Sequence, residues 1–255
     1  MFNIFKKKEV KHKSNPKTVL CIPGNWNDRN EIVKSIAESN LNEFIFAGMV
    51  VLNIKTNKGF ELQIEEYDKN LKESFRIAGS VNRVEKEFIE EIGKHKFVVY
   101  LIGETGNLKD AKEIAEAATA ILKVGGIGVK VETTGKAFTK EHWSELITDF
   151  EEGNLYEMFV LDSISDGNGT VYTCGMHNLG YKDAIVNGEE FQDAVELLSI
   201  FGYYQIIDKP EIKTGQTFGT SIDSPVFEVI EEKNQPYKGD ELFENSFGMW
   251  RLKRK

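Results

Sequence analysis

The sequence predicts an α/β protein, with α+β as the alternative class. We expect a mixed, partly parallel sheet flanked by helices and a β-hairpin-rich C-terminal part. Two patterns support this expectation: an apolar run, amphipathic helix and return strand over residues 96–132, and short strands paired around a glycine turn at 166–169. The 255 residues are 40% hydrophobic and 29% charged, which is typical of a folded globular chain.

The chain divides into a short tail and a folded body. Residues 1–16 are predicted to be a basic flexible tail, and residues 17–255 a single α/β domain. The pattern changes near residue 150, so two lobes, 17–150 and 151–255, are the alternative. We favour one continuous mixed sheet, because no linker rich in proline, glycine or serine lies at that point.

The first third of the sequence predicts strands around one helix. Residues 18–22 form an apolar strand that Pro23 stops, and Asp28 can cap a helix that runs to residue 39. Strands are expected at 43–54 and 60–66 around a hairpin turn at 56–59. A helical stretch follows, with apolar residues on one face over 84–92.

A β-α-β unit is the clearest element. Residues 97–102 are continuously apolar, as expected of a strand covered on both faces. Asn107 can cap a helix with a buried alanine-rich stripe, Gly125 and Gly126 end it, and residues 127–131 return as a strand. The two strands are therefore expected to be parallel, with a right-handed crossover.

The C-terminal part is predicted to be richer in hairpins. A short helix is expected near 140–150, then a hairpin made of strands 156–164 and 170–174. A helix with one apolar face begins near residue 191, and residues 203–252 read as short strands and loops.

Charge is unevenly distributed along the chain. The first 13 residues carry +4 and the last five +4 within a total of −9, so the body carries −17. An acidic body repels a nucleic-acid backbone, so we expect no nucleic-acid binding. It suits a basic protein partner, although acidic surfaces also serve simply to keep proteins soluble.

The expected location is the cytoplasm. Two cysteines, Cys21 and Cys174, are more typical of free thiols in a reducing compartment than of a disulfide, and no apolar segment follows the basic N-terminal run as in a secretory signal. The longest apolar stretch, 44–52, is too short to span a bilayer. Phe2, Ile4 and Phe5 beside lysines within residues 1–13 could give weak peripheral membrane contact.

No motif predicts a cofactor or a metal. The glycines at 103–106 precede a helix, but acidic residues occupy the place a phosphate would take, and those at 125–128 are in the wrong order for dinucleotide binding. Cys174 and His177 are two ligands of the kind zinc uses, which is too few for a closed site.

The turn from Cys174 to Asp183 is the main candidate site. Cys174, His177, Asn178 and Asp183 are the residue types of thiol catalysis, and strand ends in α/β sheets commonly hold ligands. A turn held together by local hydrogen bonds explains the same residues. Further candidates for a pocket wall are His142, Trp143, Gln216 and Trp250, although aromatic residues at such spacings also form cores.

Several segments resemble a known family. They are residues 174–184 (CGMHNLGYKDA), 215–218 (GQTF), 247–252 (FGMWRL) and the region from Gly125 to Trp143. Together they are similar to a bacterial family catalogued as domain of unknown function 4261, over about residues 96–252. The resemblance implies a bacterial source and an α/β body, and no reaction, cofactor or ligand.

Two functions follow as hypotheses. The first is a non-catalytic cytoplasmic interaction protein whose acidic surface binds a basic protein, such as a toxin that it neutralises. The alternative is an enzyme or small-ligand binder that uses the Cys174–Asp183 turn. No complete catalytic set is visible in the sequence, which favours the first.

Overall fold

The computed structural model describes residues 16–39, 43–47 and 49–255. The predicted tail, and the membrane contact through residues 1–13, therefore lie outside the described residues apart from Pro16. The helices are α1 Arg29–Ser39, α2 Leu71–Ala78, α3 Lys86–Ile92, α4 Leu108–Lys123, α5 Lys140–Thr148, α6 Glu152–Phe159 and α7 Phe191–Ile207. The strands are β1 Lys17–Gly24, β2 Phe44–Ala47, β3 Val50–Asn53, β4 Lys58–Glu66, β5 Phe97–Glu104, β6 Gly128–Val131, β7 Lys136–Thr139, β8 Leu161–Ser165, β9 Thr170–Cys174, β10 Asp183–Asn187, β11 Thr217–Phe218, β12 Phe227–Glu232 and β13 Met249–Arg254.

The first sheet, sheet A, contains seven strands in the order β2-β3-β4-β5-β1-β6-β7. Every neighbouring pair is antiparallel. β1 pairs along its whole length with β5 on one side and through Leu20 and Cys21 with β6 on the other. An early segment of the chain thus lies in the interior of this sheet.

The predicted crossover is present, but its two strands are not neighbours. β1 runs antiparallel to both β5 and β6, so β5 and β6 run parallel to one another with β1 between them. α4 joins them, and the Asn107 side chain accepts a hydrogen bond from the Asp110 backbone N–H at 2.9 Å, as a helix cap does. At its end Gly125 adopts a φ of 122°, which a side chain rarely allows.

Helices cover both faces of sheet A. Alternate residues of β5 point to opposite sides: Val99 and Leu101 join the core that includes α1, α4, α5 and α6, and Val98 joins the core formed by α2 and α3. This two-sided burial explains why the β5 sequence is apolar without alternation, as the sequence predicts.

The second sheet, sheet B, contains six strands in the order β11-β12-β13-β10-β9-β8. β10 and β13 are parallel and the other pairs are antiparallel, so this is the mixed, partly parallel sheet. α7 packs on one face, where Ala194, Leu198 and Phe201 contact the buried residues of the strands.

Three expectations about the elements are wrong. The strands form two sheets rather than one continuous sheet. The predicted strand 43–54 is two strands, β2 and β3. The predicted strand 156–164 begins only at residue 161, because residues 155, 156, 158 and 159 are buried along one side of α6. A short run with this spacing satisfies a helix as well as a strand.

Candidate functional site

The turn between β9 and β10 lies where the two sheets meet. It is a 3₁₀ helix, Met176–Leu179, flanked by Gly175 at φ 117° and Gly180 at φ 89°. A Cβ on Gly175 would lie 2.0 Å from the Phe159 carbonyl oxygen, and one on Gly180 2.3 Å from the Gly106 oxygen. Both glycines are therefore required by the close approach of the backbone as well as by their φ angles.

Asn178 connects this turn to sheet A. Its Oδ1 accepts hydrogen bonds from Thr18 Oγ1 at 2.6 Å and Thr133 Oγ1 at 3.0 Å, and its Nδ2 donates to the Gly175 carbonyl at 2.9 Å. The side chain is fully buried. Asn178 therefore has the partners of a structural residue.

Asp183 is a second buried polar residue at the start of β10. Its Oδ1 accepts from Thr173 Oγ1 at 2.8 Å and the Met176 backbone N–H at 3.3 Å, and its Oδ2 accepts from Asn245 Nδ2 at 2.7 Å. Burial raises the pKa of Asp183 to about 6, although these hydrogen bonds act in the opposite direction. The carboxylate holds the turn against the loop that precedes β13.

Cys174 lacks the environment of a nucleophile. Its thiol is 1% exposed and donates to the Thr133 carbonyl across 3.8 Å. Burial, and then the Asp183 charge, raise the pKa of Cys174 well above its usual value. A reactive cysteine needs a lowered pKa and access to solvent.

The imidazole ring of His177 is buried and has no hydrogen-bond partner. The side chain is 2% exposed, and neither Nδ1 nor Nε2 is bonded to another group. No hydrogen bond therefore links His177 to Cys174, and a Cys–His pair is not assembled. Burial lowers the pKa of His177 to about 4, so the ring is neutral at neutral pH.

An open pocket of about 730 Å³ lies over His177. We call it the acidic pocket; among its lining residues are Lys17, His177, Asp240, Glu241, Glu244 and Phe247. The three acidic side chains are exposed and belong to the segment between β12 and β13. Lys17 is the one lysine or arginine among the described residues that line it, so the pocket carries an excess of negative charge.

His142 and Trp143 lie elsewhere, on α5. Trp143 is fully buried and its Nε1 donates to the Ala115 carbonyl at 3.2 Å, so it belongs to the core. His142 is half-buried and its Nε2 lies 2.9 Å from Glu157 Oε1. Neither residue lines the acidic pocket.

Gln216 lies apart from the turn, whereas Trp250 packs against one of its residues, Lys182. Gln216 is exposed; its Oε1 accepts from the Lys213 backbone N–H at 2.8 Å, and it lines a different pocket of about 410 Å³. Trp250 is 7% exposed, and Lys182 Nζ lies 4.1 Å from its ring centroid. The four residues expected to line one pocket do not converge on it.

Sequence patterns do not reveal the segment that forms most of the pocket, which lies between β12 and β13. Asp240, Glu241 and Glu244 lie in an acidic stretch that reads as an ordinary exposed loop. The residue that could have indicated this segment is Asn245, a polar residue that precedes the apolar Phe247 and Met249. Its side chain is buried, at 2% exposure. Its Nδ2 donates to Asp183 and to the Tyr181 carbonyl at 2.9 Å, and so fixes the loop against the turn.

Lys136 is another buried charge that sequence patterns do not reveal. It is 6% exposed, and its Nζ donates to the Glu157 carbonyl and to the Val160 carbonyl at 3.1 Å. Burial lowers its pKa to about 8. Since both carbonyls lie at the C-terminal end of α6, the role of Lys136 is to cap that helix.

Comparisons with known proteins identify no relative. No family model, no curated protein and no solved structure matches the chain. The resemblance to the domain of unknown function therefore stays a prediction. Among the described residues, no helix is long and apolar enough to cross a membrane, and no three His, Cys, Asp or Glu residues are grouped as metal ligands.

Proposed function

We propose that the protein is a cytoplasmic, non-catalytic interaction protein that binds a basic protein partner through the acidic pocket. The observation that carries this proposal is the pocket itself: Asp240, Glu241 and Glu244 line it from one loop, and Lys17 is the opposing charge among the described lining residues. Acidic clefts with few opposing charges attract cationic partners and raise their association rate. A basic toxin that the protein neutralises would be a partner of this kind.

The buried thiols also support this location. Cys21 and Cys174 are free and both are buried, on different sheets. Free thiols are typical of proteins in a reducing compartment.

A binding experiment with matched charge variants tests the proposal. The probe is a fluorescent ten-lysine peptide, and the measurement is fluorescence anisotropy at low and high salt. The pocket variant carries Asp240→Asn, Glu241→Gln and Glu244→Gln. The control variant carries Glu85→Gln, Glu87→Gln and Glu91→Gln, which removes the same net charge from an exposed region at α3.

We expect the pocket variant to bind the peptide about tenfold more weakly at low salt, and the control to change binding much less. The difference should shrink at about 0.3 M salt, where charges are screened within several ångströms. Equal losses in the two variants would mean that only the overall charge matters, and the assignment to this pocket would then be rejected.

A small-ligand binder or enzyme at the Cys174–Asp183 turn is the second function. His177 favours the ligand-binding form, because it combines an unpartnered imidazole with a position at the pocket. The buried Cys174 disfavours the thiol-enzyme form. Labelling of a Cys21→Ala variant with a thiol reagent tests the thiol-enzyme form, because Cys174 is then the one remaining thiol. We expect Cys174 to react far more slowly in the native protein than in the unfolded one. Rapid reaction of the native protein near neutral pH would instead support Cys174 as a nucleophile.

A further inference from the structure

We propose that the acidic pocket binds a primary alkylammonium group, such as the end of a lysine side chain, and that His177 accepts a hydrogen bond from it. This inference rests on the proposed function, since it names the chemical group of the basic partner that enters the pocket. It adds a residue, His177, whose role can be tested separately from the acidic rim.

The unsatisfied imidazole points to a ligand. A neutral histidine ring presents one N–H donor and one acceptor nitrogen. In His177 both nitrogens are buried and without a partner. Buried polar groups in native proteins are nearly always hydrogen-bonded, and an unpaired one destabilises the folded state. A ligand that supplies an N–H to the acceptor nitrogen recovers part of this free energy on binding.

The acidic side chains leave acceptors for the same ligand. Asp240 uses Oδ1 to accept from the backbone N–H groups of Leu242 and Phe243, and Glu244 uses Oε2 to accept from that of Gly239. Among the described residues, the second oxygen of each carboxylate has no hydrogen bond. These oxygens remain available to a cation above His177.

Ammonium fits this set of acceptors better than the other cations. It carries three N–H donors on one tetrahedral nitrogen, which point in different directions, so one can bond to the imidazole of the turn and the others to carboxylates of the loop between β12 and β13. A guanidinium is planar and favours one carboxylate bound by two parallel hydrogen bonds. Phe247, which is 38% exposed at the pocket, gives the alkyl stem an apolar surface.

Binding requires movement of the covering loop. The His177 nitrogens are shielded from solvent, and residues 233–248 lie between β12 and β13 as turns. Asn245 ties this loop to Asp183 and Tyr181 by its side chain. We expect the part of the loop that contains Asp240 and Glu244 to shift while the Asn245 anchor stays in place.

The test titrates the full chain with three side-chain probes. These are Nα-acetyl-lysine N-methylamide and its arginine and norleucine counterparts, followed by NMR with ¹⁵N-labelled histidine. We expect saturable binding of the lysine compound, weaker binding of the arginine compound and none of norleucine. Hydrogen bonding to the ammonium should also shift the resonance of the acceptor nitrogen of His177.

Two variants separate binding from folding. His177→Phe keeps a planar ring without nitrogens, and His177→Leu is a second apolar replacement. We expect each to weaken lysine-compound binding about tenfold, as loss of a charge-assisted hydrogen bond would. The unfolding midpoint should stay the same or rise, because an unpaired buried polar ring has been removed. A variant that unfolds more easily and a ring nitrogen that does not shift would identify His177 as a structural residue and overturn the inference.

The outcomes distinguish this inference from the proposed function. If the acidic-rim variant loses the ten-lysine peptide while His177→Phe binds the lysine compound normally, the basic-partner proposal stands and the role of His177 is rejected. Tighter binding of the arginine compound also rejects it. A titration with cadaverine, a free diamine, distinguishes the source of the ammonium group. If cadaverine binds more tightly than the lysine compound, the pocket still binds an ammonium group, but its ligand is a free diamine and not a protein side chain.

Discussion

At the scale of single residues, the turn contains two buried titratable groups with opposite effects. The pKa of Asp183 is raised to about 6, and that of His177 is lowered to about 4, in both cases first by burial. The Asp183 contribution to stability is present below its unfolded pKa and is lost as pH rises through about 6. The His177 contribution is present above its unfolded pKa and is lost as pH falls toward about 4. Between about pH 4 and 6 the two contributions therefore change stability in opposite directions.

Replacing His177 should reveal this balance. His177→Phe removes the imidazole titration, so its stability relative to the wild type should be greater at about pH 4 than at pH 7, by up to about 3 kcal/mol. Chemical denaturation of both proteins across this range measures the difference. A stability difference that does not change with pH would mean that the ring is not held neutral in the folded protein.

Asn178 should be the most costly polar residue of the turn to truncate. Asn178→Ala leaves the hydroxyl groups of Thr18 and Thr133 and the Gly175 carbonyl without this partner. Leaving several buried groups unpaired should lower the free energy of unfolding by about 2–4 kcal/mol. Denaturant unfolding measures the loss, and Asn168→Ala in the exposed 166–169 turn is the control, with an expected change below about 0.5 kcal/mol.

At the scale of elements, the position of the 3₁₀ turn depends on Gly175. Gly175→Ala would place a methyl group against Phe159 and Thr134, whereas Gly167→Ala meets nothing within 4 Å. Both glycines have positive φ, so backbone strain is common to both variants. We expect Gly167→Ala to cost about 1 kcal/mol and Gly175→Ala several times more, measured by thermal unfolding. Equal losses would show that the turn relaxes without cost.

Lys136 links β7 to the end of α6. Lys136→Met keeps the alkyl stem and removes the ammonium that caps Glu157 and Val160, so we expect a loss of about 1–3 kcal/mol at neutral pH. Because the pKa of Lys136 is lowered to about 8, the advantage of the wild type should grow as pH rises from about 8 toward the unfolded pKa. Lys94→Met, at an exposed position, should change stability little at either pH.

Local sequence patterns correctly predicted the helices, strands and turns whose type does not depend on tertiary packing. The β5 run, the Asn107 cap and the glycine turns were predicted correctly because each depends on neighbours in sequence. The helix over 152–159 was missed, because its short apolar spacing fits two structures and packing against α7 is not visible locally.

The candidate site shows the same limit more strongly. The sequence marked the turn of Cys174 and His177 as the place to look, and the pocket does include His177. Its acidic wall comes from residues about 60 positions later, which Asn245 fixes through one buried contact to Asp183. A contact over that distance leaves no periodic pattern in the sequence.

At the scale of the whole molecule, the two sheets are joined by polar contacts as well as apolar ones. Asn178 from the sheet B turn bonds to residues of sheet A, and Met176 and Leu179 join the core beneath α4. The pocket lies at this junction, between Lys17 of sheet A and the loop before β13. A partner seated there would therefore stabilise both sheets together, and ligand binding should raise the unfolding temperature of the whole chain.

The order of strands in the two sheets also determines when each sheet can form during synthesis on the ribosome. β1 lies between β5 and β6, and β13 lies between β12 and β10. In the nascent chain, β1 therefore has neither of its sheet neighbours until residues about 80–110 positions later have emerged. Sheet B in turn lacks an inner strand until β13 is synthesised. Premature termination before Met249 should yield an aggregation-prone product, which a sedimentation assay of chains ending at residue 248 would detect.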